Sequence, residues 1–150
     1  MTLYQGWHIV DGDPSFHTAV KRLKKQGLPN DILYYQKDNL DQALSLVKNW
    51  DLAIDGGANY GLMSYHMSQR FSRVLAFEID DEIRQCLELN MRQFNRHNVQ
   101  IESCGLGEKQ QSVDLVRVKK RFGNFVDPES GSGNFPVRSI DSYDLPTLGF

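Results

Sequence analysis

Leu52-Ala53-Ile54-Asp55-Gly56-Gly57-Ala58-Asn59-Tyr60-Gly61 is the stretch whose reading decides the fold. Three apolar residues run into an acid and a glycine pair, and Gly61 follows four residues after Gly57. Glycines at such spacing let the backbone turn sharply and approach a ligand that a side chain would block. Downstream, Arg73-Val74-Leu75-Ala76-Phe77-Glu78-Ile79-Asp80 repeats the theme of an apolar run ending in acids. The spacing predicts a strand over 51–54, a tight loop, a helix from Gly61 or Leu62 to Arg70, and a second strand over 73–77. Parallel sheets place ligands where these acids fall, at the carboxyl ends of strands and against a helix amino terminus.

The flanking chain extends this pattern. Asp80 or Asp81 caps a helix reaching about Asn95, with Ile83, Leu87, Met91 and Phe94 as its apolar stripe. Val99 to Ser103 reads as a third strand, 105–108 as a turn, 112–119 as a strand, 122–134 as a loop and 136–140 as a returning strand. Upstream, Gly6 to Val10 reads as a short strand or ordered arm. Ser15 is placed to cap a helix over 16–26, Ile32 to Tyr35 is extended or part of a lid, and Asn39 with Gln42 suits a capping box opening a helix over 39–49. Alternating strands and helices require parallel pairing with crossovers. The division expected is a helical cover over 1–50 and a cofactor-binding unit over 51–150.

Composition narrows the function classes. With 150 residues, 40% of them hydrophobic, and a formal net charge of -2, the chain has material for one domain with a core and no basic excess to favour nucleic acid. Arg117, Lys119, Lys120 and Arg121 form the one dense basic run, read as a solvated hairpin face. No apolar stretch is long enough to span a bilayer, and Met1 to Val10 lacks the basic-then-apolar pattern of a secretory signal. Cys86 and Cys104 lie far apart with no partners at metal-ligand spacing, so free thiols in a reducing, cytoplasmic setting and no metal site are expected. The lysine and hydroxyl of a phosphate loop are missing after Gly61, and Gly56, Gly57 and Gly61 do not make a dinucleotide fingerprint.

Read together, Asp51 to Gly61, Val74 to Asp80, Leu89-Asn90, Asn98-Val99, Cys104 to Glu108 and Val137 to Tyr143 resemble the amino-terminal part of FkbM-type methyltransferases, enzymes that use S-adenosyl-L-methionine. The resemblance covers 10–150. It implies an α/β, Rossmann-like class I methyltransferase fold, three-layered with a parallel core sheet, incomplete, and closed by a C-terminal hairpin. In that family, a segment like 139–145 leads into a fourth central strand with an isoleucine-aspartate-valine-glutamate-glycine type signature. Here the sequence reads Leu148-Gly149-Phe150 at that point, so a truncated family member is expected, lacking the acceptor side.

The resemblance also implies a site. Asp55 would orient the glycine loop or touch the cofactor's amino-acid part through water, Gly57, Asn59 and Gly61 would bring their backbones to its methionine portion, and Gly56 and Tyr60 would belong to the same cofactor-binding loop. Glu78 would accept hydrogen bonds from both ribose hydroxyls, since a carboxylate offers several lone pairs to two adjacent donors. Ile79 would flank the base, and Gly105 and Leu106 would border the adenine. The structural alternatives are a plain strand-to-helix turn for the loop, a capping or surface role for Glu78, core packing for Cys104, and core packing for Trp7, Tyr34 and Tyr35, which would otherwise cover the ligand. The functions implied are O-methyl transfer to a small or glycan-like acceptor, a binding module completed by a homo-oligomer or second chain on the open sheet edge, or cleavage of the cofactor. No residue is assigned as a catalytic base.

Overall fold

The computed structural model describes residues 1–116, 125–127 and 133–145. Its centre is a parallel sheet of β3 (Leu52–Gly56), β4 (Arg73–Phe77) and β5 (Val99–Glu102), in the order β3-β4-β5. The pairs run Leu52 with Arg73 to Gly56 with Phe77, and Val74 with Val99 to Phe77 with Glu102. Helices α3 (Leu62–Met67) and α4 (Asp81–Gln93) make the two crossovers. This is the Rossmann-like α/β arrangement the alternation requires.

β4 is central, and Val74 to Phe77 are buried without a break, as a strand covered on both faces must be. Successive residues point to opposite faces. Ala76 joins Ile83, Cys86, Leu87 and Met91 in one core cluster, while Val74 packs with Leu44, Ala53, Met67 and Phe71. Leu75 and Phe77 meet Leu52 and Cys104, with Ile140, Tyr143 and Leu145 against them. Helices and the N-terminal segment thus cover one face, and C-terminal chain covers the other.

Asp80 caps α4 as expected, its carboxylate accepting the Glu82 and Ile83 amides at 2.9 and 3.3 Å. Other boundaries differ. α1 spans Ser15–Lys25, and its capping acceptor is Asp13, which takes the Ser15 amide at 2.6 Å, not the Ser15 hydroxyl. Ile32–Tyr34 is a single 3-10 turn set by Asp31, which accepts from the Leu33 amide. α2 runs Lys37–Leu44, opened by Gln36 in the left-handed region at φ 57° with no side-chain cap, so Asn39 lies inside the helix instead of starting it.

At the amino terminus, β1 (Thr2–Tyr4) and β2 (Trp7–Ile9) form a hairpin across Gln5 and Gly6, both at positive φ as a two-residue hairpin turn demands. Trp7 enters the main core against the rings of Phe16, Tyr65 and Phe94. The C-terminal part forms a four-stranded sheet in the order β6-β9-β7-β8, from β6 (Gly105–Leu106), β7 (Gln111–Val116), β8 (Phe125–Asp127) and β9 (Phe135–Arg138). The expected turn at 105–108 therefore opens with a strand, because Gly105 and Leu106 pair in parallel with Val137 and Arg138. The expected loop over 122–134 contains β8, paired with β7. The basic run from Arg117 to Arg121 lies outside the described residues.

Candidate functional site

The loop from Gly56 to Gly61 is tied down by its own chain. The amides of Gly57 and Ala58 both donate to the Phe77 carbonyl, at 2.9 and 2.8 Å, and Gly61 donates to Ala58. Tyr60 donates its amide to the Asn59 side chain, and Asn59 donates its own to Glu78 Oε2 at 2.8 Å. Every amide from Gly57 to Gly61 is thus engaged, so the loop offers a ligand its shape and carbonyls, not free N–H groups. Gly57, Asn59 and Gly61 all sit at positive φ, at 76°, 52° and 88°. A side chain at Gly57 would enter open space.

Asp55 ends β3. Its Oδ2 accepts the Ser64 hydroxyl at 2.6 Å, and Ser64 also supplies a backbone bond. Burial pushes the Asp55 carboxyl above its ordinary range, and the two Ser64 bonds oppose that shift. Glu78 follows β4 and is 7% exposed. Its Oε1 accepts the Asp80 amide at 2.9 Å and its Oε2 the Asn59 amide, clipping the loop to the start of α4. Desolvation raises its pKa, while bonds from the Asp80, Asn59 and Ile79 amides pull the other way.

Asp55, Gly57, Asn59 and Tyr60 line a half-open cavity of about 190 Å³, whose far wall comes from α1 and the segment before α2 through Ser15, Phe16, Ala19, Tyr35 and Gln36. Tyr60 is 1% exposed and donates its hydroxyl to Asp13 Oδ2, fastening the loop to the chain leading into α1. Burial first, and Asp13 second, push the Tyr60 phenol well above its usual value. The other expected site residues lie outside this cavity's lining. A Cβ on Gly56 would meet Leu106 at 3.4 Å, and one on Gly105 would meet Ile79 at 3.1 Å, so these four gather in two close pairs. Gly61 packs under Leu87 and Met91. Glu78 holds the Asn59 amide from outside the cavity's lining.

A second, more polar groove of about 460 Å³ shares Tyr35 and Gln36 with the cavity and runs past Arg22, Gln26, Lys37 and Asn39. Sequence reasoning missed Phe16, Ala19 and Gln36 as cavity walls and took Ser15 only for a cap. No local pattern marks them, because α1 reaches the loop through tertiary packing alone. Among the described residues no group of three or more His, Cys, Asp or Glu side chains is placed to hold a metal ion, and no helix is long and apolar enough to cross a membrane.

No family model and no curated protein matches the chain. Solved structures show slight likenesses. The methyltransferase FkbM from Methylobacillus flagellatus is 18% identical with a TM-score of 0.42, over 92% of this chain and 36% of that one. Phosphoethanolamine N-methyltransferase 1 from Haemonchus contortus, solved with phosphoethanolamine and S-adenosylhomocysteine, is 20% identical with a TM-score of 0.38, over 75% and 26%. Precorrin 8w decarboxylase from Methanobacterium thermoautotrophicum is 25% identical with a TM-score of 0.38, over 43% and 35%. The chain spans about a third or less of the length of each. Likenesses at TM-scores below 0.5 fix neither ligand nor reaction, so the fold rests on the observed sheet and the site on its own geometry.

Proposed function

We propose that the chain binds S-adenosyl-L-methionine across the carboxyl ends of β3 and β4 and serves O-methyl transfer to a small or glycan-like acceptor in the cytoplasm. The observation that carries this reading is the cavity near the end of β3, lined by Asp55, by the loop around Gly57 and by Ser15 of α1. The residues fit such a ligand. Asp55 presents an acid to an ammonium, and Gly57 leaves room where a Cβ would project. At about 190 Å³ the cavity is smaller than a typical small-molecule site, so it suits the amino-acid end of the cofactor and not the whole. The nucleoside would then continue toward Glu78 and Ile79. Glu78 already accepts two amides, and a carboxylate retains further lone-pair sites for ribose hydroxyls. The cofactor supplies a methyl group activated on a sulfonium. The chain's part is to hold the ammonium at Asp55, fix the loop through Glu78 and exclude water with α1. The polar groove past Tyr35 and Gln36 suits a hydroxyl-bearing acceptor.

Calorimetric titration of the purified chain with S-adenosyl-L-methionine and S-adenosylhomocysteine tests the reading. Saturable binding of both, weakened by Asp55→Asn, is expected. No heat with millimolar ligand would end it. One observation favours a second reading, a binding module completed by another chain. β3 pairs only with β4, so its outer edge is bare among the described residues.

A further inference from the structure

Three hollows on the N-terminal cover join one to the next. The cavity beside Asp55 and the polar groove share Tyr35 and Gln36. The groove in turn shares Arg22 with a shallow hollow on α1 lined by Thr18, Lys21, Lys24 and Lys25. A continuous path thus starts at the cavity and ends on a basic helix surface. Its chemistry changes along the way. The groove is built from the side-chain amides of Gln26, Gln36 and Asn39, all exposed, with Tyr34 and one acid, Asp38, beside them. Tyr34 is 44% exposed, so its ring is not spent on the core. Gln36 holds its backbone in the left-handed region, a conformation that costs a non-glycine residue, and its side chain caps nothing.

The far end of the path is charged. Four of the five residues from Lys21 to Lys25 are basic, in a chain whose formal net charge is -2. Thr18, Lys21, Arg22 and Lys25 follow the three- and four-residue spacing that puts them on one side of α1. Lys21, Lys24 and Lys25 form no ion pair among the described residues, whereas Lys37 in the groove lining is already held by Asp41. Solvation alone accounts for the lysines, but not for an amide-lined groove that opens beside them through Arg22. We propose that this groove binds a saccharide carrying negative charge, with its rings against Tyr34 and the amides and its carboxylate or phosphate at Arg22, Lys21 and Lys25. This names the acceptor class for the function proposed above, and rests on that reading in calling the ligand an acceptor. Sugar hydroxyls donate and accept at once, which amides and a carboxylate answer, and the apolar face of the ring suits an exposed aromatic side chain. At about 460 Å³ the groove lies within the range of small-molecule sites. From Lys21 to Lys25 the helix rises about 6 Å, room for one or two anionic groups. A nucleic-acid strand needs a longer basic track with several stacked rings, and a concave groove does not fit a flat lipid surface.

The test is calorimetric titration of the whole chain, without cofactor, with three probes: hyaluronan tetrasaccharide, which carries carboxylates, phosphorylated maltotetraose, and neutral maltotetraose. At least one charged probe is expected to bind about 10-fold tighter than the neutral one, and to lose affinity as salt is added. Which of the two binds tells carboxylate from phosphate. Tyr34→Ala is expected to weaken that binding about 10-fold, and so is Lys21→Gln combined with Lys25→Gln. All three side chains are exposed, so both variants should melt with wild type. If neither charged probe binds better than the neutral one, or if either variant binds the charged probe as wild type does, the inference is overturned. It is overturned too if an RNA oligonucleotide or a phosphatidylserine vesicle binds through Lys21 and Lys25 while no saccharide does. A chain that binds S-adenosylhomocysteine but no charged saccharide loses the groove site and keeps the proposed function. A chain that binds the charged saccharide but not S-adenosylhomocysteine keeps the groove site and loses the proposed function.

Discussion

Gly61 is where a single side chain has least room. Its φ is 88°, and a Cβ there would overlap Leu87 and come within 2.8 Å of Met91 Cε. Leu87 and Met91 are 0% and 3% exposed, so neither can swing aside freely. Gly57 has a similar φ of 76° but nothing within 4 Å of an added Cβ. Gly57→Ala should therefore cost only the left-handed strain, about 1 kcal/mol, and Gly61→Ala that strain plus overpacking, about 2–4 kcal/mol. Urea unfolding checks the ranking, and equal losses would show that Leu87 and Met91 yield. The two site acids make a second prediction. Burial raises the carboxyl pKa values of Asp55 and Glu78 in the folded chain. The folded form then holds protons that the unfolded form releases at about pH 4, so the stability linked to these groups is full below that pH and declines as pH rises through the raised values. Asp55→Asn should flatten part of that decline in urea midpoints measured from pH 4 upward. An unchanged slope would mean Asp55 titrates normally.

Among the elements, the contact between β2 and α4 depends on Asn90. This side chain is 0% exposed and makes three bonds: its Oδ1 accepts the His8 amide at 2.7 Å, and its Nδ2 donates to the His8 and Tyr60 carbonyls at 3.0 and 2.9 Å. It joins the N-terminal hairpin, the glycine loop and α4 at one point. Asn90→Ala strands a buried donor and two acceptors and should cost about 2–4 kcal/mol, with the His8 amide exchanging faster than in wild type. A loss below 1 kcal/mol would indicate that water replaces the side chain. Sequence showed much of the element pattern and little of this joint. β4 and α4 were legible because Val74 to Phe77 is an unbroken apolar run and Ile83, Leu87 and Met91 recur every fourth residue. Asp80 sits where a cap belongs. α2 was misplaced because Asn39 and Gln42 carry a capping pattern inside a helix that Gln36 had already begun with a left-handed residue. β6 was hidden because its partner strand lies some thirty residues on, and two glycines nearby read as a turn. The acids Asp55 and Glu78 were visible as strand ends, but the spending of the loop amides and the approach of Ser15 are tertiary facts with no local mark.

At the scale of the molecule, the parallel sheet stops at β3 among the described residues. Hydrogen bonds from Arg73 to the Asp51 carbonyl and from Gly57 to the Phe77 carbonyl fix which groups of β3 face β4. By alternation the amides of Ala53 and Asp55 also face inward, and those of Leu52, Ile54 and Gly56 point to the bare edge. Leu52 and Ile54 pack against the C-terminal segment on one face of the sheet, but in the described residues no strand pairs with their outer backbone. An open strand edge next to the cavity has two consequences. It invites another strand, and any strand that pairs there would stiffen the turn carrying Asp55 and Gly56. The second reading of the function therefore makes a specific prediction. As protein concentration rises from about 1 to 100 μM, the amides of Leu52, Ile54 and Gly56 should gain protection from hydrogen exchange together, while Ala53 and Asp55 remain protected throughout. Sedimentation over the same range should show the mass increase in step, and the ligand affinity should rise with it. If the three outward amides exchange rapidly at every concentration and the mass stays that of one chain, β3 remains an open edge, and the cavity must do its binding with the residues of a single chain.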